Sequence, residues 1–270
     1  MNTLKAIIFD MDGTLADTEE IHRRAFNLTF KEYQFPWQWS PAEYRSLLSI
    51  SGGKERIRRD LRRRGVKAGG SGELWRLAEE LHARKSELYR ELLGAESMRL
   101  RPGVQRLIGE AMKSHIRLAI ATSSSRHNLE TLLANTLGVD ALGWFRAVVS
   151  CDTVEDKKPS PAVYQLALAK LGLEPQYCVA IEDTRNGNLA ALAAGLRTII
   201  TTHAYTQDDD FRGASLVVDN LGEPDRPFHV AAGSARGASC VDVRLLRRIV
   251  RAAPEQDNLT WETGAAVAAK

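Results

Sequence analysis

Two aspartates stand two positions apart in the run FDMDGTL, as Asp10 and Asp12, with Gly13 directly behind them. Carboxylates that share a site repel each other, so we expect a cation to hold them together, most simply Mg²⁺. Gly13 permits the turn that lets both side chains face that site. Taken alone, the run also fits a turn in which an Asp side chain caps the following backbone. Oxygen-ligand metal chemistry is therefore one of two interpretations of this run.

Three more polar clusters follow apolar runs farther along the chain. The run TSS at 122–124 offers donors that suit phosphate oxygens, although it also fits a helix N-cap. Lys158, in the run KKPSP, can hold a phosphoryl group and neutralise a carboxylate, although Lys-Lys-Pro alone is typical of a solvated surface pair. Glu182 and Asp183 are the pair best able to complete an oxygen-ligand metal site. Because the four clusters come in order, each at or just after a predicted strand end, chance is a poor explanation of the set.

The elements that must position these clusters are short buried strands that alternate with helices. Strand-like apolar runs cover 4–9, 117–121, 147–149 and 178–181, and two edge strands are expected at 197–201 and 216–218. Helical patterns lie between them, at 104–114, 127–137, 161–171 and 188–194. This alternation predicts an α/β fold, a Rossmann-like parallel sheet covered on both faces. In such sheets ligands bind outside the carboxyl ends of the strands, where the four clusters are expected.

One long segment interrupts the alternation. No strand pattern occurs from about 18 to 97, and helical patterns cover 19–33, 41–48, 54–65 and 74–93. We therefore predict a helical cap over 17–98, inserted into an α/β catalytic core made of 1–16 and 99–222. The cap is expected to open and close about hinges near Ala16 and 99–102. The remainder, 223–270, is predicted to be a C-terminal extension of loop plus one helix over 241–252.

Composition excludes several classes of protein. The chain has 270 residues, 44% of them hydrophobic, and no apolar run long enough to span a bilayer, so no membrane partner is expected. Its formal charge of +3 is too small to predict nucleic-acid binding. Three scattered cysteines (Cys151, Cys178 and Cys240) predict neither a disulfide framework nor a zinc cluster. Without a signal-peptide cleavage pattern, we expect a cytoplasmic monomer.

The four clusters and the helical insertion together resemble the haloacid dehalogenase superfamily of phosphohydrolases over residues 4–222. The insertion looks like the C1-type cap of that superfamily. Within it the chain is most similar to the CbbY proteins, through DTEEIHRRAFN at 17–27, EYR at 43–45 and above all GGKERI at 52–57. Two positions depart from the pattern: Asp17 stands where Glu is expected, and Ala162 where an Asp often follows the KPxP run. Neither departure touches the four clusters.

The resemblance implies a role for each clustered residue. Asp10 is the implied nucleophile, which forms an aspartyl-phosphate, and Asp12 the implied general acid and base. The implied ligands of Mg²⁺ are Asp10, the backbone carbonyl of Asp12, and Asp183, with Glu182 in support. Thr122, Ser123 and Lys158 are expected, with Mg²⁺, to stabilise charge on the phosphoryl oxygens. The implied activity is that of a xylulose-1,5-bisphosphate phosphatase, which removes an inhibitor of Rubisco in the Calvin cycle.

The cap carries the residues expected to choose the substrate. Glycines before a helix leave backbone N–H groups free to bind an anion, so Gly53, Lys54 and Arg56 predict a second phosphate site, and a small sugar bisphosphate is the expected ligand. Five further arginines between 58 and 64 fit a solvated helix face. His82 and Lys85 share one helix face, and they and Tyr44 fit either substrate contact or a structural role. The full set of predicted substrate-binding residues is Asp17, Tyr44, Gly52, Gly53, Lys54, Arg56, His82, Lys85, Ser123, Ser124 and Asn128.

Other functions share parts of these patterns. A β-phosphoglucomutase-like phosphotransferase would use the same core, cap and aspartyl-phosphate, but pass the phosphoryl group to a sugar hydroxyl. A phosphoglycolate phosphatase would not need the basic cap residues. A dehalogenase would have no use for Asp12 or a metal site. A nucleic-acid-binding module built on the arginine-rich helix would bind with steep salt dependence, and the near-neutral chain argues against it.

Overall fold

The computed structural model describes residues 3–66, 71–95 and 98–252. These form a seven-stranded sheet in the order β3-β2-β1-β4-β5-β6-β7, parallel except for β7, which runs antiparallel to β6. The strands are β1 (Ala6–Phe9), β2 (Arg117–Ala121), β3 (Phe145–Val149), β4 (Cys178–Glu182), β5 (Arg197–Thr201), β6 (Leu216–Val218) and β7 (Val230–Gly233). The predicted parallel α/β sheet is confirmed, but β5 and β6 are interior strands and the prediction of two edge strands there is wrong.

Helices lie on both faces of the sheet and, in a separate group, above it. They are α1 (Glu19–Glu32), α2 (Pro41–Leu48), α3 (Gly53–Arg63), α4 (Ser71–Ala95), α5 (Val104–Lys113), α6 (Arg126–Thr136), α7 (Ala162–Leu171), α8 (Arg185–Ala193) and α9 (Val243–Arg251). Ile7 and Phe9 of β1 pack with α5, α6 and α9, whereas Ala6 and Ile8 pack with α7 and α8. This period-two alternation of buried side chains is what a strand covered on both faces requires.

The register of the central strands determines where polar residues emerge. Phe9 at the end of β1 lies opposite Ile120 of β2 and Ile181 of β4. The next residue, Asp10, continues the ladder by donating its backbone N–H to the carbonyl of Ile181 at 2.9 Å. The residues that follow β1, β2 and β4 therefore emerge side by side at one edge of the sheet.

Helices α1 to α4 occupy the interval between β1 and α5, where the sequence predicts the cap. They enclose aromatic residues, among them Phe26, Phe30, Trp39 and Tyr44. The Trp39 indole donates to Asp60 Oδ2 at 2.7 Å, so the buried N–H is satisfied. The two chain crossings between this group and the sheet meet at an isolated antiparallel bridge from Ala16 to Leu100.

The C-terminal extension completes the sheet and one of its helical layers. The sequence predicts only a loop before its helix, but β7 pairs there with β6. Because β7 is a four-residue VAAG segment with little hydrophobic patterning, the strand leaves no clear signal in the sequence. The predicted helix is present as α9, and residues 253–270 lie outside the described residues. Within the described part of the chain, no helix is both long and apolar enough to cross a bilayer.

Candidate active site

Three buried carboxylates converge where β1 and β4 end. Asp10, Glu182 and Asp183 each offer an oxygen, and these atoms all lie within 4.8 Å of one another. Burial raises the pKa of Asp10 and of Asp183, and the charge of Glu182 adds to both shifts. Hard oxygen donors at this spacing, which repel one another, fit a divalent cation such as Mg²⁺.

Glu182 has more hydrogen-bond partners than either of the two aspartates. Oε1 accepts hydrogen bonds from Lys158 Nζ at 2.5 Å and from the Tyr164 hydroxyl at 2.8 Å. Oε2 accepts from the backbone N–H groups of Asp183 at 3.0 Å and Thr184 at 3.3 Å. The geometry therefore suits Asp10 and Asp183 as metal ligands, with Glu182 as the group that supports them.

Lys158 lies between two of the carboxylates. Its ammonium group is 2.5 Å from both Asp10 Oδ1 and Glu182 Oε1, and it donates to the carbonyl of Ala121 at 3.0 Å. Burial alone would lower the pKa of Lys158, but the charges of the two carboxylates together raise it. The side chain is only 5% exposed, so the solvated-pair interpretation of Lys-Lys-Pro does not hold for Lys158.

Asp12 has partners of its own on the cap side of the cluster. Oδ1 accepts from the Thr18 hydroxyl at 2.7 Å and lies 3.0 Å from His22 Nε2, while Oδ2 accepts from the Ser124 hydroxyl. Burial raises the pKa of Asp12, but the charge of His22 and these hydrogen bonds outweigh that effect and lower it. Asp12 is therefore held as a carboxylate.

His22 is a site residue that the sequence analysis did not single out, although it lies within the run 17–27. Its Nδ1 is 2.5 Å from Lys85 Nζ, and its ring stacks on Tyr89 with centroids 4.1 Å apart. Burial lowers the pKa of Lys85 to about 7. The imidazole of His22 in α1 thus connects Lys85 of α4 to Asp12 in the turn after β1.

A cavity of about 150 Å³ lies above these residues, between the sheet and α1 to α4. It is lined by most of the residues that the sequence predicts for substrate or catalysis, namely Asp10, Asp12, Gly52, Gly53, Arg56, His82, Lys85, Thr122, Ser123, Ser124, Asn128 and Lys158. The N-cap of α6 is Ser125, which accepts from the Asn128 N–H at 3.2 Å. The hydroxyl run at 122–124 is thus free of that capping role.

The structure does not bring three predicted substrate residues to the cavity wall. Asp17 is exposed, because it lies just outside α1, whereas Glu19 in the first turn faces the cavity. Tyr44 is buried and donates to Glu19 Oε2 at 2.7 Å. Lys54 forms an ion pair with Glu79 of α4 at 3.2 Å. Glu19, two positions from Asp17, is therefore a site residue that the sequence analysis missed.

On the cap side, the start of α3 faces the cavity. Gly52 has φ +97°, and a Cβ on Gly53 would lie 2.4 Å from the His82 ring, so this helix start needs its glycines. Arg56 is held by its Nε, which donates to the Ile50 carbonyl at 2.8 Å. Burial, with the charge of Lys85, lowers the pKa of His82 to about 3. Arg56 is thus a fixed positive charge on the wall and His82 a neutral ring.

Direct contacts join the cap to the sheet around the cavity. Lys157, next to Lys158, pairs with Glu55 of α3 at 2.6 Å. Asn186, at the start of α8, donates to the Ser49 carbonyl at 3.0 Å and to the Ser51 hydroxyl at 3.2 Å. These contacts join the residues around the start of α3 to the loop that follows β3 and to the start of α8.

Comparison with known proteins gives this geometry a family. A model described as haloacid dehalogenase-like hydrolase matches residues 4–195. The CbbY protein of Cupriavidus necator is 42% identical, covering 89% of this chain and 96% of its own length. A crystal structure of CbbY from Rhodobacter sphaeroides with phosphate is 44% identical, with a TM-score of 0.74 over 80% of this chain and 94% of that one. A mutant of the same enzyme, solved with xylulose-1,5-bisphosphate, is 41% identical and also has a TM-score of 0.74, over 82% of this chain and 98% of that one.

β-Phosphoglucomutase of Bacillus subtilis is 30% identical, over 80% of this chain and 89% of its own length. The similarity to the CbbY proteins is higher, and it extends over sheet and cap alike. The chain therefore belongs to the haloacid dehalogenase-like hydrolases, as a phosphoric monoester hydrolase akin to the CbbY proteins.

Proposed function

We propose that this enzyme is a Mg²⁺-dependent sugar-bisphosphate phosphatase that works through an aspartyl-phosphate, and that its substrate is xylulose-1,5-bisphosphate. The observation that carries the proposal is the placement of Asp10 beside Lys158 on the floor of a cavity whose cap side carries Arg56. The binding of that bisphosphate by a CbbY relative supports the choice of substrate. By the same resemblance, the reaction would remove an inhibitor of Rubisco.

The first half of the reaction transfers the phosphoryl group to the enzyme. A carboxylate oxygen of Asp10 attacks phosphorus, the bond from phosphorus to the sugar oxygen breaks, and Asp12 gives that oxygen a proton. Lys158 and the donors at 122–124 stabilise charge on the phosphoryl oxygens. Mg²⁺, held by Asp10, the Asp12 carbonyl and Asp183, would supply further neutralisation there.

The second half returns the enzyme to its starting state. Asp12 takes a proton from water, the water oxygen attacks phosphorus, and the bond to Asp10 breaks to release inorganic phosphate. The lowered pKa keeps Asp12 ionised and able to accept a proton, but it also makes Asp12 a weak base. Both proton transfers therefore need its pKa to rise, and a negatively charged phosphoryl group beside it acts in that direction.

The second phosphate of the substrate is assigned to the cap. Arg56 lines the cavity, and the N-terminus of α3 at Gly53 presents backbone N–H groups and the positive end of the helix dipole. A guanidinium–phosphate contact away from solvent contributes about 1.5–3 kcal/mol. The site would thus hold one phosphate at the sheet and the other at the cap.

The test is phosphate release from a panel of sugar monophosphates and bisphosphates, with Mg²⁺ and after chelation. We expect release from xylulose-1,5-bisphosphate that stops with chelator and returns with Mg²⁺. The 30% identity with a β-phosphoglucomutase makes phosphotransfer the second candidate. Isomer formation without free phosphate would favour that activity, and no release from any bisphosphate would contradict the proposal.

We also propose that the enzyme is a cytoplasmic monomer that binds no nucleic acid. Cys151, Cys178 and Cys240 are all free thiols, which fits a reducing compartment. Gel filtration at several concentrations tests the monomer. A gel shift of nucleic acid that persists at physiological salt would contradict the proposal that the enzyme binds none.

A further inference from the structure

His203 contacts the metal-binding cluster from a part of the chain outside the four polar clusters. It follows β5 and is 9% exposed. Its Nε2 lies 2.9 Å from Asp183 Oδ2, and the Thr14 hydroxyl donates to Oδ1 of the same carboxylate at 3.0 Å. Both carboxylate oxygens of Asp183 therefore form hydrogen bonds with groups that are not proposed as metal ligands.

The second ring nitrogen shows which way the hydrogen bond runs. Nδ1 of His203 is the acceptor for the backbone N–H of Tyr205, at 3.3 Å. A nitrogen that accepts carries no hydrogen, so the neutral ring has its hydrogen on Nε2. His203 is thus a donor to Asp183.

The backbone beside His203 is fixed by a partly buried arginine. Arg101 donates to the carbonyls of Thr201 at 3.0 Å, Thr202 at 2.5 Å and Asp219 at 2.6 Å. The same guanidinium donates to the carbonyl of Gly13, in the turn after β1. One side chain therefore ties the residues before His203 to the turn that carries Asp12.

The contact also depends on the absence of a side chain at Gly13. A Cβ there would lie 2.2 Å from Asp183 Oδ2 and 2.8 Å from His203 Nε2. Small shifts of the neighbouring atoms would not relieve contacts this short. The turn after β1 thus leaves room for the pairing of His203 with Asp183.

We propose that His203 is a positioning residue for the metal site, whose N–H orients the Asp183 carboxylate toward Asp10. This rests on the proposed function, because it needs the metal site. Groups that hydrogen-bond to metal ligands fix ligand orientation, and their loss costs about 10- to 100-fold in metal affinity. His203 fits that role because it is buried, donates a hydrogen bond to Asp183 and follows backbone that Arg101 holds in place.

The test compares two substitutions of similar size. In His203→Gln the side-chain amide nitrogen reaches the place of Nε2, whereas in His203→Asn it reaches only the place of Nδ1. Binding of Mg²⁺ and Mn²⁺ to the metal-free full-length protein is measured by calorimetry, with thermal unfolding as the check on folding. We expect His203→Asn to weaken binding about 10- to 100-fold and His203→Gln to retain most of the affinity. His229→Asn, at an exposed histidine, is the control.

The second measurement is the dependence of the reaction rate on Mg²⁺ concentration. We expect His203→Asn to need more Mg²⁺ for half-maximal rate, with kcat largely recovered at saturating Mg²⁺. Equal metal affinity in wild type and folded His203→Asn would overturn the inference, as would equal losses in the Gln and Asn variants. If the wild type itself binds neither ion, the metal-dependent mechanism fails, and the inference fails with it.

Discussion

Lys158 opposes the effects of burial and of the neighbouring carboxylates on the pKa of Asp10. Burial raises the pKa of this carboxyl, and the neighbouring charges of Glu182 and Asp183 raise it further. The Lys158 ammonium, 2.5 Å away, opposes them. An anionic nucleophile in a dry site needs such a cation, and a bound Mg²⁺ would act in the same sense. The single contact from Lys158 is thus central to reactivity.

Asp10→Asn tests the nucleophile. We expect it to abolish phosphate release, because an amide cannot form the acyl phosphate, while the fold is retained or stabilised as repulsion among the carboxylates falls. Steady-state release and thermal unfolding are the measurements. Asp17→Asn, at an exposed position outside the cavity, is the control. Substantial turnover by folded Asp10→Asn would remove Asp10 from this role.

Arg56→Ala tests the second phosphate site. We expect a loss of about 1.5–3 kcal/mol, which is roughly a 10- to 150-fold rise in KM for the bisphosphate, with little change for a monophosphate. Lys54→Ala is the comparison. Sequence analysis predicts Lys54 in the same site, but its ion pair with Glu79 indicates a smaller effect. Equal rises for both substrate classes would contradict a second phosphate contact at Arg56.

Asp10 and Asp183 follow the ends of β1 and β4 directly, and their position could be predicted because parallel strands bring their carboxyl ends together. His22 projects from the face of α1, and its orientation depends on packing that no local pattern encodes. His203 also lies just past a strand, β5, but a lone histidine there forms no motif, and its contact with Asp183 depends on the loop that follows. Glu19 was missed because the local sequence does not show which of the acidic residues near the start of α1 faces the cavity.

Helix α4 presents one face to the cavity. His82, Lys85 and Tyr89 lie three and four residues apart along it, the spacing that aligns side chains on a helix. Burial lowers the pKa of both His82 and Lys85, so this face is less charged at neutral pH than its sequence indicates. The stability of the cap should therefore depend on pH.

His82 determines the direction in which stability changes with pH. Its pKa of about 3 in the folded protein lies below the ordinary value of 6.5. Between these values the unfolded chain binds a proton that the folded protein does not, so stability falls as pH falls from about 6.5. We expect acidification from pH 6.5 to 5.5 to cost wild type about 1 kcal/mol more than His82→Gln. Urea unfolding at the two pH values measures this, and parallel losses in both proteins would contradict it.

The elements themselves were predicted unevenly. Pro41–Leu48 begins with a capping box at Ser40, in which Ser40 and Glu43 exchange hydrogen bonds, and its bounds match the prediction. Strand β7 was missed because its pairing with β6 comes from the tertiary fold rather than from local preference. Helix α2 was thus predictable from its own start signal, whereas β7 was not, because its short segment carries no strand pattern and depends on pairing with β6.

At the scale of the whole molecule, the C-terminal extension is part of the core. Leu245 and Leu246 of α9 are fully buried against the layer that also holds α5 and α6. Arg106 of α5 donates to the carbonyls of Gly222 at 2.8 Å and Val241 at 3.3 Å, and so fixes both ends of the segment before α9. The extension is therefore expected to contribute to global stability.

Leu246→Ala tests this contribution. Truncating a fully buried leucine costs about 2–5 kcal/mol of unfolding free energy. Arg244→Ala, on the exposed side of the same helix, should change it by less than about 0.5 kcal/mol. Denaturant unfolding of both variants is the measurement. A loss below about 1 kcal/mol for Leu246→Ala would mean that α9 is dispensable.

The bridge from Ala16 to Leu100 has a consequence for how such enzymes diversify. The chain enters and leaves the helical segment side by side, so two adjacent crossings connect that segment to the sheet. A segment of different length or sequence could be grafted between the same two points without altering the order of the strands. Specificity could thus change by exchange of this segment while the acidic cluster stays in place, provided that the new segment supplies Asp12 with partners equivalent to Thr18 and His22.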